Sequence, residues 1–261
     1  LGQTFYEYDR REEHFHFLEW LKQQIKQHEI DVLLIAGDVF DSPNPSAESQ
    51  RVYYRFLREV TSENPSLQIV IIAGNHDSAA RLEAPNPLLE DMNIIVRGTV
   101  RRNAEGDIDL QHFIVPLYTE GKVTAYCLAV PYLRQGDYPS AENYSKGVQQ
   151  LYEQLFNKVK EKGIPVVAMG HLQATGSEIS EDDRSERTVI GGLECVSPDA
   201  FNEAITYTAL GHLHRSQRVS HRENVRYSGT PMPMSFAEKN NASGVVMITI
   251  DTEGTNIEKL E

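Results

Sequence analysis

The sequence predicts an α/β protein with a second sheet, on three observations. Four short apolar runs, 31–36, 67–73, 164–169 and 204–210, are rich in β-branched residues and too brief for buried helices, so they read as buried strands. Stretches with apolar residues at helical spacing alternate with them: Phe15, Leu18, Leu21 and Ile25 in one, Val148, Leu151, Leu155 and Val159 in another. From 100 to 131 the alternation gives way to hairpins, with strands 112–118 and 122–130 flanking a Glu120-Gly121 turn.

In chain order, Asp9 and Glu12 read as an N-cap with its capping-box partner, opening a helix that carries His14, His16 and His28 at its surface or boundary. Strand 31–36 ends in Gly37-Asp38-Val39-Phe40-Asp41. Pro43 and Pro45 hold a loop open before Ser46 caps a helix to about Val60, whose Val52, Tyr53, Phe56, Leu57 and Val60 are core. Strand 67–73 runs into Gly74-Asn75-His76-Asp77. Pro85 and Pro87 interrupt the next segment, and a short strand occupies 93–96. His112 is expected as an ordinary strand residue. A long helix, 144–162, feeds strand 164–169, which ends in Gly170-His171. The acidic stretch 177–186 reads as a mobile surface loop. Strand 204–210 ends in Gly211-His212-Leu213-His214, and hairpin-like strands at 224–229 and 244–250, then a last polar strand, complete the chain.

The 261 residues can bury a substantial core, and the formal charge of −13 comes without a basic run. That balance argues against strong autonomous binding to DNA. Cys127 and Cys195 lie far apart with no metal or redox spacing, as expected of reduced thiols in a cytosolic protein. No run is long and apolar enough to cross a bilayer.

The chemistry concentrates at the strand ends. Asp38, Asn75, His76, His171, His212 and His214 all follow a glycine at such an end, some directly and some a residue or more beyond it. A carboxylate, an amide oxygen and imidazoles suit Mn2+, Fe or Zn2+, without the thiolates of a structural zinc site. One carboxylate can bridge two ions, and two ions ~3.5–4 Å apart can clamp the attacking and leaving oxygens of a displacement at phosphorus. The glycines permit sharp turns or close approach. Gly-Asp after a strand is common in ordinary turns and a lone Gly-His carries little information, so the weight rests on the repetition.

Gly37-Asp38-x-x-Asp41, Gly74-Asn75-His76-Asp77, Gly170-His171 and Gly211-His212-x-His214 resemble, in order, the motifs of the calcineurin-like metallophosphoesterases. Gly37 to Asp41, Val130-Pro-Tyr-Leu-Arg134 and the stretch 226–236 further resemble the SbcD family, the nuclease subunits of bacterial SbcCD complexes. The resemblance implies a metallophosphoesterase-type two-sheet sandwich with flanking helices, four layers in the order α/β/β/α, formed by residues 1–261 as one nuclease domain. It implies two divalent metal ions, Mn2+ foremost, with Asp38 bridging them, Asn75, His171 and His212 completing one shell, and His214 binding the other. His76 is then catalytic, facing the scissile phosphate, and Asp77 orients it, while Asp41 fixes the loop. The implied activity is exonuclease on duplex DNA ends and endonuclease on single strands or hairpins. The implied partners are an SbcC-like ABC-type ATPase and DNA, in a heterotetramer holding a homodimer of the nuclease, cytoplasmic and nucleoid-associated, with no membrane. Arg81, Arg134, Arg215 and Arg226 are candidate phosphate contacts. The residues leave open a phosphatase or cyclic-nucleotide phosphodiesterase on the same fold, and a non-catalytic binding subunit.

The family pattern opens with a strand ending in Asp-x-His and closes with capping and partner-docking regions, and residues 1–261 contain neither. The expectation is therefore that this 261-residue species binds one ion well and the other weakly, and cleaves poorly.

Overall fold

The computed structural model describes residues 1–5, 7–177 and 195–261; the stretch expected as an acidic loop, 177–186, lies outside them except for Ser177. The chain opens with β1 (Thr4–Phe5) and β2 (Tyr8–Asp9), an antiparallel pair, and α1 (Arg11–Gln27). Then come β3 (Val32–Ala36), α2 (Ala47–Glu63), β4 (Gln68–Ile72), the short helices α3 (Ala79–Glu83) and α4 (Asn86–Leu89), and β5 (Ile94–Arg97). A one-turn helix α5 (Leu110–Phe113) leads into β6 (Ile114–Thr119) and β7 (Lys122–Ala129). The second half holds α6 (Tyr144–Val159), β8 (Val166–His171), β9 (Tyr207–Gly211), β10 (Gln217–Val219), β11 (Arg222–Tyr227), β12 (Val245–Ile250) and β13 (Thr255–Leu260).

Two sheets face each other. One is parallel, in the order β3-β4-β5; the other is mixed, in the order β10-β11-β9-β8-β7-β6. β4 shows why its segment reads as an unbroken apolar run: Ile69 and Ile71 pack with α1 and α2, while Val70 and Ile72 pack against the other sheet. Side chains alternate between two buried faces, and the one polar side chain of the strand, Gln68, is buried with its amide donating to the Pro116 carbonyl and accepting from the Tyr118 amide. Between the sheets, Val70 and Ile72 meet Val115, Leu117, Cys127 and Met169. On the far side of the mixed sheet, Val148, Leu151, Tyr152 and Leu155 of α6 close the last layer. The layers are thus α/β/β/α.

The 100–131 hairpin is real, with β6 and β7 antiparallel and Glu120 and Gly121 both at positive φ, 51° and 74°. It does not found a sheet of its own. β7 pairs in parallel with β8, and so joins the strands that carry His171 and His212. Two local expectations are corrected. The α1 N-cap is Arg10 without a side-chain cap bond, because Asp9 binds the Arg11 amide and guanidinium instead. His112 sits in α5 rather than in a strand; Asp109 caps that turn by accepting from Gln111 N. Ser46 caps α2 through Ser49 N at 3.0 Å, as expected.

Candidate metal centre

β3 and β4 run parallel in one sheet, β8 and β9 in the other, and the C-terminal ends of all four meet at one edge of the sandwich. Loops leaving the carboxyl ends of parallel strands are where α/β folds hold ligands. The approach of the two sheets is close enough to require glycine. A Cβ on Gly211 would lie 1.8 Å from the Ala36 carbonyl of the other sheet, and within the parallel sheet one on Gly74 would lie 2.0 Å from Asp38 Oδ1. Asp38 and His212 themselves sit at positive φ, 50° and 97°. Such conformations cost of order 1–3 kcal/mol each in non-glycine residues and concentrate at functional sites.

His171 is the centre of the cluster and is almost fully buried. Its Nδ1 donates to the Ala36 carbonyl at 2.8 Å; its Nε2 lies 2.9 Å from Asn75 Oδ1 and 3.1 Å from Asp38 Oδ2. From the neighbouring strand, His212 Nδ1 reaches the same Asn75 oxygen at 3.0 Å. The His171 and His212 rings are 5.3 Å apart, edge to face. Asp38 Oδ1 accepts the His76 amide at 2.9 Å, which locks its carboxylate. Among the described residues no three carboxylates, imidazoles or thiolates converge by themselves. The amide oxygen of Asn75 is what links Asp38 and His171 to His212.

Electrostatics follow the same geometry. Burial opposes the charge on Asp38, but the His171 imidazole beside it, with the His76 amide, holds the carboxyl well below the usual range. Burial also disfavours a charged His171, yet Asp38 and the Ala36 carbonyl raise its pKa. A positive charge is therefore wanted at His171 Nε2, ringed by oxygens. A divalent cation fits that demand, and the fixed Nδ1 donor bond presents Nε2 for ligation.

The other expected residues fall as follows. Asp77 is buried, and its carboxylate accepts the amides of Gly74 (2.9 Å), Phe40 (3.0 Å) and Val39 (3.2 Å), joining the β3 and β4 ends. His76 Nδ1 lies 3.0 Å from the Asp41 carbonyl. His214 Nδ1 pairs with Glu238 Oε1 at 2.7 Å. Of the arginines, Arg81 engages Asn44 at 2.5 Å and Arg226 engages Glu223 at 2.5 Å, whereas Arg134 lies over the Tyr132 ring. Tyr132 donates its amide to the Ala73 carbonyl, and its ring stands 6.2 Å from that of His171. Glu238 and Tyr132 were not legible as site residues from chemistry alone; Tyr132 lies within one of the segments behind the narrower resemblance.

A two-sheet sandwich that gathers aspartate, asparagine and histidines from four strand ends has the architecture of a metal-dependent phosphoesterase. The chain belongs to the calcineurin-like phosphoesterase family, whose model matches residues 10–216, and that membership implies divalent metal ions. It is similar to the SbcD subunit of nuclease SbcCD from Rhodobacter capsulatus, 39% identical over 96% of this chain and 64% of that protein. The same-named proteins of Escherichia coli K12 and Bacillus subtilis are 31% and 28% identical over 95% of this chain. The chain thus spans a little under two thirds of these relatives, 64%, 62% and 63% of their lengths. Among the described residues no helix is long and apolar enough to cross a membrane.

Proposed function

We propose that these residues form the catalytic core of a metal-dependent DNA nuclease of the SbcCD type, cutting duplex ends as an exonuclease and single strands or hairpins as an endonuclease. The observation that carries this is the meeting of Asp38, Asn75, His171 and His212 within hydrogen-bonding distance at four strand ends. The similarity to proteins named as the SbcD subunit of nuclease SbcCD favours phosphodiester DNA over a small monoester.

Asp38, Asn75, His171 and His212 would hold one Mn2+, and Asp38 with His214 would contribute to a second. Bound ions of this kind lower the pKa of water and offset charge on phosphoryl oxygens. His76 meets the scissile phosphate and passes a proton to the leaving oxygen; its Nδ1 hydrogen bond to the Asp41 carbonyl leaves that task to Nε2. Asp77 keeps the two loops together rather than sharing the proton. Arg134, backed by Tyr132, is the arginine best set to meet a phosphate beside His171. An ATPase partner of the SbcC kind, in a heterotetramer with two copies of the nuclease, supplies much of the grip on DNA, in keeping with the formal charge of −13. The complex works in the cytoplasm on the nucleoid.

The test is cleavage of labelled duplex and hairpin DNA by the full-length protein with its ATPase partner in Mn2+. His76→Asn should cost about a hundredfold or more in rate while Mn2+ binding persists. Undiminished cleavage by that variant, or phosphate release from monoesters without DNA cleavage, would overturn the proposal.

A further inference from the structure

The stretch 229–238 wraps His214. Gly229 sits at φ +81°, and a Cβ there would lie 2.8 Å from the His214 carbonyl. That carbonyl accepts the Thr230 amide at 2.9 Å. Glu238 then returns to the ring: Oε1 is 2.7 Å from His214 Nδ1, and Oε2 accepts the Met234 amide at 2.8 Å. The Glu238 side chain is fully buried, and a carboxylate removed from water persists only where its oxygens are satisfied. The stretch is held from outside as well. Arg10 Nη1 donates to the Pro233 carbonyl at 2.7 Å, and Gln3 Nε2 donates to the Met234 carbonyl at 3.2 Å.

We infer that Glu238 is a positioning residue that fixes the rotamer and tautomer of His214, so that His214 ligates a cation through Nε2. A carboxylate can only accept from a neutral imidazole, so Nδ1 carries the hydrogen and ligation falls to the other nitrogen. The segment behind the narrower resemblance thereby acquires a physical task, closing a loop around one ligand. This rests on the metal-dependent reading above, and its readouts are separate from DNA cleavage.

The experiment has two arms on the full-length protein. Mn2+ binding is followed by electron paramagnetic resonance for wild type, Glu238→Ala and Glu238→Gln. Glu238→Ala should weaken one of two sites by about ten- to a hundredfold and leave the other within about threefold. Glu238→Gln, which keeps an acceptor for only one of the two bonds, should fall between. The second arm is nitrogen NMR of His214 in metal-free wild type at about pH 8, expected to show hydrogen on Nδ1, and this arm stands even where Glu238→Ala fails to fold. Hydrogen on Nε2 overturns the inference. So does wild-type binding of both ions by the folded variants, or a wild type that takes up only one ion. A wild type that shows the expected binding yet cuts no DNA refutes the nuclease proposal and leaves the role of Glu238 intact.

Discussion

Asp38 and His171, from different sheets, meet across the interface with Oδ2 3.1 Å from Nε2, while the other imidazole nitrogen is committed to the carbonyl of Ala36, at the end of the strand that leads into Asp38. Both ring nitrogens thus face oxygen acceptors. On the proposed reading, a cation held by these oxygens and Nε2 would compete with a proton for the same nitrogen.

Metal binding should therefore evict a proton. The pKa of His171 is raised, with burial opposing and Asp38 and Ala36 prevailing, so affinity for Mn2+ falls as pH drops below that raised value. Calorimetric titration at about pH 7 in two buffers of different ionisation enthalpy should report net proton release. Identical heats in the two buffers would contradict it.

Gly74→Ala should remove metal affinity without touching a ligand. The added Cβ would fall 2.0 Å from Asp38 Oδ1 and 2.3 Å from the Asp38 backbone nitrogen, so the end of β3 must shift locally and carry the carboxylate off His171. Mn2+ affinity should drop about tenfold or more while circular dichroism stays that of the wild type. Unchanged affinity would mean that the β3 and β4 ends are less tightly apposed than these distances require.

Asp77→Asn separates a structural aspartate from a proton-sharing one. The amide side chain keeps one carbonyl acceptor for three backbone donors, which should cost about 1–3 kcal/mol. For a chain of this size that lowers the melting temperature by about 2–4 °C per kcal/mol. The pH dependence of cleavage should keep its shape. A shifted profile at unchanged melting temperature would restore Asp77 as the partner of His76.

Legibility from the sequence followed burial. Strand 67–73 was readable nearly to the residue, against Gln68–Ile72, because both of its faces are dry. The helix 144–162 was readable from its apolar stripe, ending in a 3-10 turn at Lys160–Lys162 beyond Val159. Strand starts were not: β8 begins at Val166 and β9 at Tyr207, later than the apolar runs do, since hydrophobicity marks burial and not pairing. The glycine-led ends announced Asp38, Asn75, His171 and His212, whose meeting needs two sheets and could only be inferred from chemistry. Glu238 gave no signal, because it lies 24 residues beyond His214 at no motif spacing from it, and only tertiary structure buries it. His112 misled because an apolar run began just after it, while Asp109 set a helical turn instead.

His112 and His14 should make the fold acid-sensitive. Burial lowers His112 to about 4, with Arg97 and Arg101 adding to it, and burial likewise lowers His14 to about 4. His112 Nε2 is buried with no hydrogen-bond partner, and Glu83 Oε1 is 3.8 Å away. The folded pKa lies below the unfolded value near 6.5, so the unfolded chain binds more protons between the two. Stability is full above about pH 6.5 and is lost as pH falls toward 4, on the order of 1–2 kcal/mol per histidine by pH 5. Urea midpoints at pH 7.5 and about pH 5 should differ less in His112→Asn than in wild type. An equal difference in both would contradict the assignment.

Anomalous diffraction at the manganese edge, from crystals soaked in Mn2+, bears most directly on whether the four strand ends share one cation. A peak is expected within about 2.0–2.4 Å of Asp38, Asn75 Oδ1, His171 Nε2 and His212. A strong peak elsewhere, with these four side chains still bonded to one another, would contradict it.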